Sequence, residues 1–195
     1  MKSLPRIPVA VRGANPSALH QEGVALRKVI EDARSTVAAV LHAHADEIIC
    51  TSGATESDNL ALVGAIHAFL AQGILPREIA VVASELEHAA VSETLARGTP
   101  EGILRMILPA PDGVVDTKGL LFAPEIKAVL VSVMYVNNEI GTVQPIKDIA
   151  KALRRIRKVR PELQIIFHVD ATQAPLHYSL NVAQLGIDLM TLGAT

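Results

Sequence analysis

Four short segments carry residue types that could do chemistry, and each follows an apolar run. Ser52-Gly53-Ala54-Thr55-Glu56-Ser57 places small residues ahead of a helical stretch. Backbone N–H groups there, the positive end of the helix dipole and the Thr55 hydroxyl would suit a phosphate, and the same pattern serves equally as a helix cap. Glu85-Leu86-Glu87-His88 offers a flat imidazole that can stack on an aromatic ring or open a helix. Asn137-Asn138-Glu139-Ile140-Gly141 offers two amides that can donate to a ligand oxygen or form a turn. His168-Val169-Asp170-Ala171-Thr172-Gln173 places an acid at the end of a buried run, which is costly unless the acid is paired. A protonated ring nitrogen is one such partner, and an N-cap role is the alternative. Gln173, three residues on, shares the side of Asp170.

The elements that must position these residues alternate. Residues 22–43 have apolar positions at helical spacing, and helices are also expected at 55–71, 87–96 and 146–159, the last following Pro145. Short apolar strands are expected at 47–51, 78–83, 103–108, 128–136, 164–169 and 187–192, with a turn at Asp112-Gly113. The fold class is therefore α/β: a mostly parallel central sheet with helices on both faces. In such sheets ligands bind beyond the carboxyl ends of the strands, where the four segments stand.

Composition narrows the function classes. Half of the 195 residues are hydrophobic, with no Trp, two Tyr and three Phe, so the core must be built from Ala, Val, Ile and Leu. The formal net charge of −2 gives no global attraction to nucleic acid or to an anionic membrane. A basic run from Lys151 to Arg160 reads as a solvated helix face, since no aromatics interleave for stacking. The single Cys50 excludes a disulfide framework, points to a cytoplasmic setting and reads as a small buried residue of a strand. No apolar stretch reaches the length of a membrane span, and residues 1–12 lack the apolar core of a signal peptide. His42-Ala43-His44-Ala45-Asp46 could be weighed as a zinc site, but no further ligand cluster accompanies it, so no metal is expected.

Taken in order and spacing, the four segments resemble the cysteine desulfurase family, within the class V aminotransferase group of fold-type I enzymes that use pyridoxal 5'-phosphate. Thr51–Asn59 is similar to that family's phosphate-binding segment, Glu87-His88 to its ring-stacking segment, Met134–Ile146 to its central signature and His168–Gln173 to its pyridine-binding segment. Asn15-Pro16-Ser17-Ala18-Leu19-His20 is similar to an early loop of the family. The resemblance implies that Ala54 and Thr55 bind the cofactor phosphate. It implies that His88 stacks on the ring and takes part in proton transfer. Asn138 would contact the ring hydroxyl or the substrate side of the cofactor, Gln173 would hydrogen-bond the ring hydroxyl oxygen, and Asp170 would pair with the pyridine nitrogen, keeping the cofactor an electron sink. The implied reaction converts L-cysteine to L-alanine and a persulfide on an enzyme cysteine, supplying sulfur for iron–sulfur clusters and tRNA thiolation. A homodimer in the full-length form and a sulfur-acceptor scaffold protein are the implied partners.

The chain also departs from the pattern. The family's Schiff-base lysine would be the residue after Thr195, and none of the seven lysines (2, 28, 118, 127, 147, 151 and 158) stands at that place. Gly193 occupies a position where the family usually has a phosphate-binding Ser. The expectation is a divergent segment at 1–13, a partial cofactor-binding large domain at 14–195, no C-terminal small domain and hence no persulfide cysteine. This chain alone is expected not to turn over cysteine. A non-catalytic cofactor-binding or partner-pairing module, and another class V member such as a selenocysteine lyase, are the competing readings.

Overall fold

The computed structural model describes residues 13–175 and 177–193, and these divide into two compact units between Cys50 and Thr51. In the first, helix α1 (Gln21–Leu41) is opened by His20, whose Nδ1 accepts from Gly23 N at 3.2 Å, and closed by His42 in the left-handed conformation at φ 56°. A short 3₁₀ turn (Ala45–Glu47) follows, fastened by Glu47 accepting from His44 N at 2.7 Å and by Arg34 donating to the Ile48 carbonyl. The expected strand at 47–51 does not form: residues 48–51 leave the turn without a sheet partner. Cys50 is accordingly exposed rather than buried, a correction to its reading as a strand residue. A continuous apolar run did not suffice, because no neighbouring strand supplies the backbone partners that make a ladder.

The second unit is a five-stranded parallel sheet in the order β2-β1-β3-β4-β5. Its elements are α2 (Ala54–Ala71), β1 (Ile79–Ser84), α3 (Ala89–Gly98), β2 (Leu104–Leu108), β3 (Ala128–Met134), α4 (Ile146–Val159), β4 (Gln164–Asp170), α5 (Val182–Leu185) and β5 (Leu189–Thr191). β1 and β3 are buried along their whole length, as a parallel sheet covered on both faces requires. Alternate side chains feed two cores. Ala80, Val82, Val129, Val131 and Val133 face Ile146, Ile149 and Leu153 of α4. Ile79, Val81, Ala83 and Leu130 face Leu62, Ile66 and Phe69 of α2 and Val91 and Leu95 of α3.

α4 shows why the basic run is more than a solvated face. Its inner residues Ile146, Ile149, Ala150 and Leu153 are buried, and Lys151, Arg154, Arg155 and Lys158 are exposed. Arg157 and Arg160 instead turn back to the fold. Arg157 donates to the Ile165 carbonyl at 2.7 Å and pairs with Asp188 at 2.6 Å. Arg160 donates to the carbonyls of Phe122, Ala123, Pro124 and Ile126, closing the irregular segment that leads into β3. Among the described residues no helix is long and apolar enough to cross a membrane, and no group of three His, Cys, Asp or Glu side chains is arranged to hold a metal ion.

Candidate functional site

Because the strands are parallel, their last residues Ser84, Met134, Asp170 and Thr191 share one edge of the sheet. That edge gathers three of the four segments. Glu87 reaches across it: its Oε1 accepts from Met134 N at 2.8 Å and from the Ser84 hydroxyl, joining the end of β1 to the end of β3. His88 is the N-cap of α3, with Nδ1 accepting from Ala90 N at 3.1 Å. This bond fixes the ring, leaves it exposed and puts the proton of a neutral imidazole on Nε2.

Asn137 anchors the loop after β3. Its side-chain amide donates to the Leu86 carbonyl at 3.1 Å, and its Oδ1 accepts from Glu139 N and Ile140 N at 2.9 Å each. Gly141, at φ +70°, returns its N–H to the Asn137 carbonyl at 3.0 Å, a conformation that favours glycine. Asn137 is 7% exposed, whereas Asn138 beside it is exposed at the loop tip. The two amides thus divide the work: one holds the loop, the other is available to a ligand.

Asp170 closes β4 and is 6% exposed. Its Oδ1 accepts from Thr172 N at 3.0 Å and from Thr172 Oγ1 at 2.6 Å, while Oδ2 has no hydrogen bond among the described residues. Gln173 is exposed two residues beyond Ala171. The N-cap alternative for Asp170 is not what forms: a turn at 172–173 follows, and α5 is capped by Asn181.

The fourth segment arrives on α2. Gly53 is the N-cap residue, and Ser57 N is the first amide of the helix bonded to the Gly53 carbonyl, at 3.0 Å. The N–H groups of Ala54, Thr55 and Glu56 lack intrahelical partners, and the space beside the Gly53 Cα is open. Glu56 does not block them: its carboxylate is engaged with Ser52 N at 2.6 Å and Ser52 Oγ at 2.5 Å, which holds its pKa below the usual range. One turn into α2, Asp58 Oδ1 lies 3.6 Å from His168 Nε2, which sets this helix end over the carboxyl ends of β4 and β5. The expected Ala54, Thr55, His88, Asn138, Asp170 and Gln173 therefore all stand on the carboxyl side of one sheet.

Buried groups beneath these residues were not assigned a role from the sequence. Asp58 is 1% exposed, and burial first, then the charge of Asp170, push its pKa up to about 7. Glu87 is pushed up to about 8, mainly by burial, and its Oε2 has no partner. His168 is fully buried, with Ser132 Oγ at 2.9 Å from Nδ1 and Thr191 Oγ1 at 3.0 Å from Nε2, and burial pushes its pKa down to about 4. The signal was present for Asp58: it sits on the apolar stripe of α2 with Leu62, Ala65, Ile66 and Phe69.

Residues 10–195 match the family described as aminotransferase class-V. The chain belongs to the class-V aminotransferase family. Within it, the chain is 38% identical over 181 residues to cysteine desulfurase IscS of Dictyoglomus turgidum and 40% identical over 182 residues to cysteine desulfurase IscS of Vibrio cholerae serotype O1. These alignments cover 92% of this chain and only 43% and 42% of the relatives, so the chain spans less than half their length. Among solved structures, a chain described as SspA in complex with cysteine superposes with a TM-score of 0.79 at 31% identity, covering 93% of this chain and 49% of that one. A NifS-like protein gives 0.76 at 31% identity, covering 91% and 46%. Members of the family use pyridoxal 5'-phosphate. The residues present fit that group: a nearly buried carboxylate with one unpaired oxygen, an exposed imidazole fixed by the Ala90 N–H and an open helix N-terminus lie on the same sheet edge.

Proposed function

We propose that this chain forms the pyridoxal 5'-phosphate-binding face of a cysteine desulfurase. The observation that carries the reading is Asp170, a carboxylate at the carboxyl edge with Oδ1 held twice by Thr172 and Oδ2 left for a cationic partner. A protonated pyridine nitrogen is such a partner. The N–H groups of Ala54 and Thr55, with the Thr55 hydroxyl, would hold the phosphate at the positive end of α2. His88 would lie against the ring, its orientation preset by the bond from Ala90 N and its Nε2–H left to exchange a proton. Gln173 would address the ring hydroxyl, and Asn138 the ring hydroxyl or the substrate side of the cofactor. When bound, the cofactor supplies an electron sink for bonds to the carbon that carries the substrate amine.

The reaction proposed for the whole enzyme breaks the C–S bond of L-cysteine. The sulfur forms an S–S bond with an enzyme thiol, and L-alanine and an enzyme persulfide result. L-Cysteine as substrate, a homodimer, a sulfur-acceptor scaffold protein, a role in iron–sulfur cluster assembly and tRNA thiolation, and a cytoplasmic location all belong to this reading. The resemblance to desulfurases and the structural likeness to a cysteine complex support it. Residues 1–195 are assigned the binding face, and none of the seven lysines there is given the Schiff-base role.

Absorbance titration of the purified chain with pyridoxal 5'-phosphate tests the reading. Saturable binding is expected, weakened about tenfold or more by Asp170→Asn and by Thr55→Ala together with salt. Binding that is unsaturable, or equal in the wild type and Asp170→Asn, overturns it.

A further inference from the structure

Asp58 is a carboxyl that the roles above do not use, yet it lies within the same buried assembly. It projects from the inner face of α2 among Leu62, Ala65, Ile66 and Phe69, and its Oδ1 has no hydrogen-bond partner. The nearest ring nitrogen, His168 Nε2, is 3.6 Å away and already 3.0 Å from Thr191 Oγ1. The other ring nitrogen is occupied by Ser132 Oγ at 2.9 Å. A neutral imidazole with one donor and one acceptor nitrogen satisfies both hydroxyls, so His168 needs no charge and offers Asp58 none.

The groups that face Asp58 complete the case. From β4 come His168 and Asp170, from β5 the Thr191 hydroxyl, and from the segment before α3 the part-buried Glu87, while Ser132 of β3 stands on the other ring nitrogen of His168. None of these is a cation. A carboxylate buried to 1% exposure beside another carboxylate, with no cation and one oxygen unpaired, is stabilised by keeping its proton.

We propose that Asp58 is a proton-holding residue beneath the site: while the site is empty it keeps its proton, so that no second negative charge is buried next to Asp170, and it yields that proton as a cation comes to Asp170. This rests on the cofactor reading above for its purpose, though not for the pair itself. Asp58 touches neither cofactor nor substrate and is a positioning residue. It acts through the charge of Asp170, which is also a cause of the rise of Asp58 to about 7. A cation docked on Asp170 cancels that charge, so filling the site loosens the proton on Asp58.

The test is carboxyl-carbon NMR of the full chain labelled at aspartate. The Asp58 line is identified by its loss in Asp58→Asn, and glutamates such as Glu87 stay silent. A transition near pH 7 is expected for Asp58. In Asp170→Asn it moves down by about one unit or more, and saturating pyridoxal 5'-phosphate moves it the same way. Should Asp58→Asn not fold, the near-neutral transition and its movement in Asp170→Asn still decide the matter. A line already in the carboxylate position at pH 5, or a transition unmoved in Asp170→Asn, overturns the proposal. Movement in Asp170→Asn without any effect of the bound or added cofactor upholds the carboxyl pair and overturns the cofactor reading instead.

Discussion

Thr172 holds Asp170 with both of its donors, N at 3.0 Å and Oγ1 at 2.6 Å, on a single carboxylate oxygen. Two charge-assisted bonds to one oxygen fix the carboxylate plane and leave the other oxygen for a partner. Thr172→Val keeps the shape and removes the hydroxyl bond. The expected result is a cofactor affinity lower by about 1–2 kcal/mol, with the fold intact. Absorbance titration read beside circular dichroism checks this, and unchanged affinity would show that the hydroxyl does not orient Asp170.

Gly193 guards that same contact. A Cβ built there would stand 2.7 Å from Thr172 Cγ2, too close for any side chain unless Thr172 yields. Thr172 has little freedom, being β-branched and tied to Asp170. Gly193→Ser is therefore expected to destabilise the chain by about 1 kcal/mol or more and to weaken cofactor binding. Adding Thr172→Ser removes the clashing methyl and keeps the hydroxyl, so the double variant should recover both. Urea unfolding of the four forms measures the coupling, and strict additivity would remove the steric explanation.

The α/β class, the parallel sheet and the helix at 146–159 were legible because apolar period and turn residues act locally. The strand expected at 47–51 was not, since a strand exists only with a partner and the sequence does not name one. The site divides in the same way. Asp170 and His88 announce themselves by standing at element ends, where polar residues need a reason. Asn137 and Asn138 are indistinguishable as neighbouring letters, and only the bond from Asn137 to Leu86 tells anchor from free amide. Arg160 looked like one more surface cation until its four carbonyl partners were placed.

That distinction between the two amides can be measured. Asn137→Ala removes the donor to Leu86 and the acceptor of two loop N–H groups, leaving them unpaired in a part-buried setting. A loss of about 2–4 kcal/mol is expected. Asn138→Ala removes an exposed side chain and should leave stability within about 0.5 kcal/mol while altering the affinity for the cofactor. Chemical unfolding of both variants decides it. Equal losses would mean that the loop is not held by Asn137.

The buried acids and the buried imidazole pull stability in opposite directions with pH. Asp58 rises from 3.8 to about 7 and Glu87 from 4.5 to about 8 on folding, both chiefly through burial. Their folded forms bind more protons than the unfolded chain, so their favourable contribution is complete below about pH 4 and is lost as pH climbs through 7 and 8. His168 falls from 6.5 to about 4, so its contribution is present above pH 6.5 and is lost as pH drops through about 4. Between about pH 4.5 and 6.5 two acids lose against one imidazole that gains, and above 6.5 only the losses remain, so on these three groups stability should fall from about pH 4.5 toward pH 8, more steeply above 6.5, by something on the order of a few kcal/mol. Asp58→Asn cannot ionise and should flatten that alkaline decline, whatever it does to absolute stability through Thr191. Replacing His168 by Gln removes the opposing gain and should steepen the fall between about pH 4 and 6.5 alone. Denaturant midpoints at pH 4 to 8 for the three proteins give the slopes, and parallel wild-type and Asp58→Asn curves above pH 6 would falsify the assignment of Asp58 as a protonated group.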